Sequence, residues 1–163
     1  RGTADGEGET IIGDENLIMA YVHIAHDCVI GDKTVMANNA TLAGHVSVGD
    51  WVIFGGFSGV HQFCTIGSHA CVGMFAAINR DIPAYLMVSG YPAAPKGINS
   101  EGLKRRDFTA EQIRNIKEAY RLVYRKGLKL AEAIEEIAAR VDSQPELGLF
   151  LDSLRSSERG IAR

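Results

Sequence analysis

Bulky apolar side chains recur at every sixth position from Ile12 to Ile78: Ile12, Ile18, Ile24, Ile30, Met36, Leu42, Val48, Phe54, Val60, Ile66, Val72 and Ile78. The residue after each is nearly always Gly or Ala, and four places after it comes a small or slim side chain such as Cys28, Thr34, Ala40, Val46, Ser58 or Cys64. A period of six matches neither the 3.6 of a helix nor the 2 of a simple strand. It suits a chain that runs a short strand, turns a corner and begins again. Three such sides close a triangular coil of eighteen residues, and stacked coils build a left-handed parallel β-helix of hexapeptide repeats. Bulky residues point inward from the middle of each side, and the slim residues two places before them fill the rest of a narrow core. Triplets such as Gly31-Asp32-Lys33 form the corners, where Gly and Asp are expected to take up unusual backbone angles. Coils hydrogen-bond at the strand spacing of about 4.8 Å, so residues eighteen apart are stacked neighbours.

The repeat ends near Arg80, which predicts a β-helical domain over 1–82. Pro83, Gly90, Pro92, Pro95 and Gly97 then predict an irregular connecting loop over 83–108. An α-helical C-terminal domain over 109–163 follows. Its first helix opens on the capping-box sequence Thr109-Ala-Glu-Gln112, carries an apolar stripe through Ile113, Ile116, Tyr120 and Val123, and stops at Gly127. A second helix is expected from Lys129 to Val141, and a third after Ser143, with Pro145 in its first turn and its end before Gly160.

Charge divides unevenly between these parts. Residues 1–98 hold four basic and nine acidic side chains, whereas Lys104 to Lys129 holds nine basic and three acidic ones. A solvated helix face is the ordinary meaning of such a run; docking of an acidic partner or of phosphates is the sharper one. With a net charge of −3 and no recognition motif, no binding of nucleic acid is expected. No apolar stretch is long enough to cross a membrane. Cys28 and Cys64 share an inward column two coils apart, about 9–10 Å, too far for a disulfide, so reduced thiols in a cytoplasmic protein are expected.

The candidate chemistry lies in five histidines: His23, His26, His45, His61 and His69. A narrow prism has no interior room for imidazole, so these rings are expected to project outward. His26 falls at a corner with Gly44 stacked one coil on and Gln62 one coil beyond. Beside a bare glycine backbone, His26 can serve as a general base while the Gly44 N–H meets a developing oxyanion. Asp27, adjacent to His26, could fix its tautomer if the corner brings the two side chains together, and His45 stacks over Asp27. A zinc site made by three histidines is the competing reading. It ranks second because His26, His45 and His61 fall at different corner phases, and no metal is expected. Nothing supports a serine nucleophile, since no G-x-S-x-G sequence occurs.

The segments His23-Ile-Ala-His-Asp-Cys28, Ala37-Asn-Asn-Ala-Thr-Leu-Ala-Gly-His-Val46, Val60-His-Gln-Phe-Cys64 and Asn99-Ser-Glu-Gly-Leu-Lys-Arg-Arg106 resemble the acyl-carrier-protein-dependent UDP-N-acetylglucosamine O-acyltransferases of lipid A biosynthesis. The resemblance covers nearly the whole chain. It implies a cytoplasmic homotrimer with active sites between subunits and no stable membrane insertion. The implied reaction moves an (R)-3-hydroxyacyl group from acyl carrier protein to the 3-hydroxyl of UDP-N-acetylglucosamine, with no cofactor. By resemblance His26 is the base, Asp27 its partner and Gly44 the oxyanion donor. His23, His45, His61 and Gln62 line the sugar-nucleotide site, Asn99, Glu101 and Arg105 contact the nucleotide, and Arg106 lies nearby for phosphate or pantetheine. Members of the family have further coils before the position of Arg1, so upstream coils are expected. Met74 stands where relatives can carry Gly on the acyl groove, which implies a shorter acyl chain. A related N-acyltransferase, an acetyl-coenzyme A-dependent hexapeptide acetyltransferase, a zinc-dependent hydratase and a non-catalytic β-helix scaffold are the alternatives.

Overall fold

The computed structural model describes residues 3, 4, 6 and 8–163. Among these residues, twelve two-residue strands form three flat faces of a left-handed parallel β-helix. The first face stacks Ile11–Ile12, Val29–Ile30, Ser47–Val48 and Thr65–Ile66. The second begins with Leu17–Ile18, Val35–Met36, Ile53–Phe54 and Cys71–Val72, and the third holds His23–Ile24, Thr41–Leu42, Gly59–Val60 and Ala77–Ile78. Register within these stacks steps by eighteen residues, as in His23↔Thr41 and Val35↔Ile53. Inward side chains such as Ile30, Met36, Leu42, Phe54 and Ile66 are buried, together with the slim column of Cys28, Ala40, Val46 and Cys64.

The corners differ from expectation. The left-handed residue is not the glycine but the third corner residue, among them Asp27, Lys33, Asn39, His45, Trp51, Phe57, Phe63, His69 and Phe75, with φ between 56° and 64°. The glycines serve close approach instead: a Cβ on Gly31 would lie 3.0 Å from the Asp50 nitrogen in the next coil. A left-handed L-residue costs roughly 1–2 kcal/mol. Burial of one inward Ile or Leu, roughly 1.5–3 kcal/mol, offsets it. From Lys33 onward each of these corners is also tied to the coil before it, as by Lys33 N to Asp14 O (2.9 Å) and His45 N to His26 O (3.0 Å).

The stretch expected to be an irregular loop is structured. Leu86–Ser89 adds to the second face beside Cys71–Val72, and Ala94–Ile98 pairs antiparallel with it. A bulge between Met87 and Val88 absorbs the irregular register that the prolines impose. Helix α1 (Ser100–Arg105) follows. Helix α2 (Ala110–Tyr124) opens on the predicted capping box, with Thr109 Oγ1 accepting from Gln112 N and Gln112 Oε1 accepting from Thr109 N. Helix α3 (Leu130–Ala138) is shorter than expected, and a 3-10 turn (Pro145–Leu147) runs into α4 (Gly148–Arg155). Tyr85 Oη donates to Glu146 O and Ala84 N to Ser153 Oγ, which seats the helices on the last coil.

Candidate active site

Three edges separate the three faces, and the candidate residues are distributed among them. The edge between the third and first faces carries His26-Asp27, Gly44-His45 and Gln62-Phe63 in successive coils. Left-handed geometry at Asp27 folds its side chain back toward its neighbour, so His26 Nδ1 lies 2.9 Å from Asp27 Oδ2. Asp27 is buried and well supplied with donors: Thr3 N (2.9 Å) and Thr3 Oγ1 (3.0 Å) reach Oδ2, and Gly8 N (3.1 Å) reaches Oδ1. Burial raises its pKa, but the hydrogen bonds from His26, Thr3 and Gly8 outweigh that and hold the carboxyl down at about 2. An ionised carboxylate only accepts hydrogen bonds. The proton on neutral His26 therefore sits on Nδ1, and Nε2 is left with its lone pair.

The imidazole of His26 lies on the backbone of Gly44. A Cβ at Gly44 would stand 2.6 Å from His26 Nε2, 3.0 Å from Nδ1 and closer still to Cε1. Along the edge between the first and second faces, the equivalent backbone N–H groups of Asp14, Asp32 and Asp50 are capped by Asp32 Oδ1, Asp50 Oδ1 and Ser68 Oγ. The Gly44 N–H has no such cap and makes no hydrogen bond among the described residues. A ring nitrogen with a free lone pair thus packs against a residue whose amide is uncapped.

His45 packs edge-on against His26, with ring centroids 5.1 Å apart, and stacks on Phe63 at 4.5 Å. Its Nε2 is 3.9 Å from Asp27 Oδ2. One ligand atom from each of His26, Asp27 and His45 lies within 4.8 Å of the others. The differing corner phases of His26 and His45, the ground on which the sequence ranked a shared metal second, do not keep their ligand atoms apart, because the left-handed turn puts consecutive corner side chains on one side. Asp27 Oδ2 already faces His26 and accepts two hydrogen bonds from Thr3, so a cation would have to displace these. The donor set suits a tautomer-fixing carboxylate better than a metal ligand.

His23 lines a cleft of about 670 Å³ beside His26, with Thr3, Thr10 and Ile12. His61 is exposed on the third face and lines a largely apolar cleft of about 440 Å³ with Val60, Ile78 and Tyr91; Gln62 is exposed next to it. The remaining expected residues sit elsewhere on the chain. Met74 is 65% exposed at the edge between the second and third faces, beside the stacked pair Phe57–Phe75. Asn99, Glu101, Arg105 and Arg106 belong to α1 and its caps, and Arg106 lies against the edge between the first and second faces. Glu101 pairs with Lys104 at the surface, Arg105 is exposed, and Asn99 is buried with its side chain committed to the protein. Against expectation, His69 is buried too, beneath Tyr85 and Phe108, because the helical region covers that edge. Sequence reasoning missed the support of Asp27 by Thr3 and Gly8; Gly8, eighteen residues before His26, was the available signal.

Comparison with known proteins agrees with this fold. The family model for UDP-N-acetylglucosamine O-acyltransferase domain 2 matches residues 81–162, and the bacterial transferase hexapeptide model matches residues 9–44. The acyl-[acyl-carrier-protein]–UDP-N-acetylglucosamine O-acyltransferase of Thiobacillus denitrificans is 54% identical over 162 residues, 99% of this chain and 63% of the relative. Its counterpart from Ectopseudomonas mendocina is 51% identical over the full chain, again 63% of the relative. The crystal structure of UDP-N-acetylglucosamine O-acyltransferase from Moraxella catarrhalis superposes with a TM-score of 0.97 at 47% identity, covering 100% of this chain and 63% of that one. The corresponding enzyme of Acinetobacter baumannii also gives 0.97, at 48% identity, covering 100% of this chain and 64% of that one. The chain thus spans a little under two thirds of the length of the relatives it matches. With its hexapeptide repeat and its C-terminal helical region both matched, and with identities near 50% over the whole chain, the chain belongs to the UDP-N-acetylglucosamine O-acyltransferase family.

Proposed function

We propose that this chain carries the catalytic edge of an acyltransferase that moves an (R)-3-hydroxyacyl group from an acyl carrier protein thioester to the 3-hydroxyl of UDP-N-acetylglucosamine. The observation that carries the proposal is the packing of the His26 ring against Gly44, whose amide is uncapped, with Nδ1 held by Asp27. Nε2 takes the proton of the sugar hydroxyl as its oxygen attacks the thioester carbon, a role typically worth 10²–10⁴-fold. The Gly44 N–H donates to the oxyanion, on the order of 3 kcal/mol. Collapse of the tetrahedral species breaks the C–S bond, and the thiol leaves with the proton returned from His26. No covalent intermediate and no cofactor is needed. His23, His45, His61 and Gln62 surround the acceptor sugar.

Within one chain, Met74 and the α1 residues lie on other edges than His26, so a second copy has to bring them to the site. A homotrimer with interfacial sites meets that need, and the exposed apolar side chains Leu17, Phe57, Met74 and Phe75 supply surface for it. Asn99 acts in this scheme through α1 rather than by touching the nucleotide; Glu101, Arg105 and Arg106 face it. For the donor protein, Lys117 and Arg121 on α2 and Arg125 at its C-cap recur every four residues and share a cleft of about 350 Å³ with Lys96, a surface suited to an acidic carrier. Three unpaired cysteines fit a cytoplasmic location, and among the described residues no helix is long and apolar enough to cross a membrane.

Transfer to UDP-N-acetylglucosamine from a panel of 3-hydroxyacyl carrier proteins and of coenzyme A thioesters tests the proposal. Carrier-protein substrates are expected to be used, with His26→Ala losing at least 10²-fold in kcat. Preference for coenzyme A thioesters, or undiminished activity in His26→Ala, would remove the reading.

A further inference from the structure

Helix α1 has only six residues, far too few to be stable by itself. Both of its ends are held by one residue of the prism. At the start, Asn99 caps the helix by accepting from Gly102 N (3.2 Å), and its Nδ2 donates to the His69 carbonyl (3.0 Å). That cap is tightly fitted, since a Cβ on Gly102 would meet Asn99 Oδ1 at 2.7 Å. At the other end Arg106, the C-cap residue, donates from Nη1 to His69 Nδ1 at 3.2 Å. Its guanidinium also lies 5.2 Å from the centre of the Trp51 ring.

His69 is itself immobilised. It stacks between Trp51 (6.4 Å, 8°) and Tyr85 (5.5 Å, 21°), with the edge of Phe108 at 5.2 Å. Burial, then the neighbouring Arg106 cation, push its imidazole pKa down to about 4, against the opposite pull of Asp50. The ring is therefore neutral near pH 7. Arginine only donates, so the lone pair is on Nδ1 and the proton on Nε2. A lysine or a phenylalanine at this position would leave Arg106 without an acceptor.

We infer that His69 is a positioning residue for the acceptor site: its carbonyl and its Nδ1 fix the two ends of α1, so that Arg105 and Arg106 are presented as an ordered pair of cations. The inference rests on the proposed role of these arginines at the nucleotide diphosphate. It assigns His69 no contact with substrate.

Three variants separate the possibilities. His69→Phe keeps a ring in the stack and removes the acceptor. His69→Asn places an amide oxygen close to the position of Nδ1 and removes the stack. Arg106→Ala removes the cation. Steady-state kinetics with UDP-N-acetylglucosamine are read together with amide hydrogen exchange over Leu103–Arg106 and with Tm. In His69→Phe, KM for the sugar nucleotide is expected to rise roughly tenfold, as for loss of one hydrogen bond to a charged group, with kcat within about twofold. Exchange over Leu103–Arg106 is expected to quicken. His69→Asn is expected to recover most of the KM and the protection even where its Tm is lower. If KM and exchange in the two His69 variants simply follow Tm, or if His69→Phe changes neither, the inference is overturned. If Arg106→Ala leaves KM unchanged, the nucleotide role of α1 fails instead, and the exchange measurement alone decides whether His69 orders the helix.

Discussion

Replacing Gly44 with alanine tests the site at its narrowest point. The substitution keeps the N–H, and Gly44 does not have the positive φ that would strain an alanine backbone. What changes is space. The new Cβ would stand 2.6 Å from His26 Nε2, whereas ordinary contact begins near 3.4 Å. Relief requires the ring to retreat by about 1 Å, against a 2.9 Å hydrogen bond to Asp27 that resists the movement. A misplacement of about 1 Å costs on the order of 10²-fold in rate, about 2.7 kcal/mol on the barrier. Stability should hardly fall, because the loss of unfolded-state freedom on Gly→Ala contributes about 0.4–1 kcal/mol in the opposite sense. The assay is kcat for acyl transfer at saturating donor and acceptor, with a thermal melt in parallel. A Gly44→Ala protein that turns over within threefold of the parent would refute the reasoning, since the imidazole would then have no need to lie on that amide. A large fall in Tm would refute it differently, by showing that the coil rather than the ring gives way.

The remaining predictions concern acid stability and chain length. The Asp27 carboxyl is depressed in the folded protein, so its contribution to stability is fully present above about pH 4 and is lost as pH falls through about 2. Asp27→Asn is expected to show a shallower loss of stability between pH 4 and pH 2 than the parent, followed by circular dichroism; identical acid-unfolding curves would contradict the hydrogen-bonding account. Met74 is exposed at an edge that a second copy is proposed to bring to the acyl groove, and Met74→Gly is expected to shift donor preference toward longer acyl chains. An unchanged chain-length profile would mean that Met74 serves packing between copies only.

Much of the molecule could be read in advance because a β-helix is nearly one-dimensional. Each coil touches its neighbours at a constant offset, so the stacking of Gly44 on His26 and of His45 on Asp27 followed from counting eighteen residues. The same arithmetic failed where neighbours along the chain, not coils, decide geometry. Differing corner phases were expected to keep His26 and His45 from sharing one ligand, yet the left-handed backbone at Asp27 and His45 brings both imidazoles to the Asp27 carboxylate. Corner glycines were expected to supply the unusual φ, yet they are small so that adjoining coils can approach. Local signals also served well for the helices, where Thr109, Gly127 and Pro145 mark boundaries through their own backbone chemistry.

The amino-acid sequence by itself determined the periodic prism, its inward column and the coil-to-coil alignment of a histidine with a bare amide, because these depend only on spacing. Tertiary structure decided the rest. The pairing of Leu86–Ser89 with Ala94–Ile98, the burial of His69, and the fastening of α1 through Arg106 all join residues with no common period. Such contacts form because the last coil offers an open strand edge and an aromatic ledge, and whichever segment satisfies those exposed groups is held there.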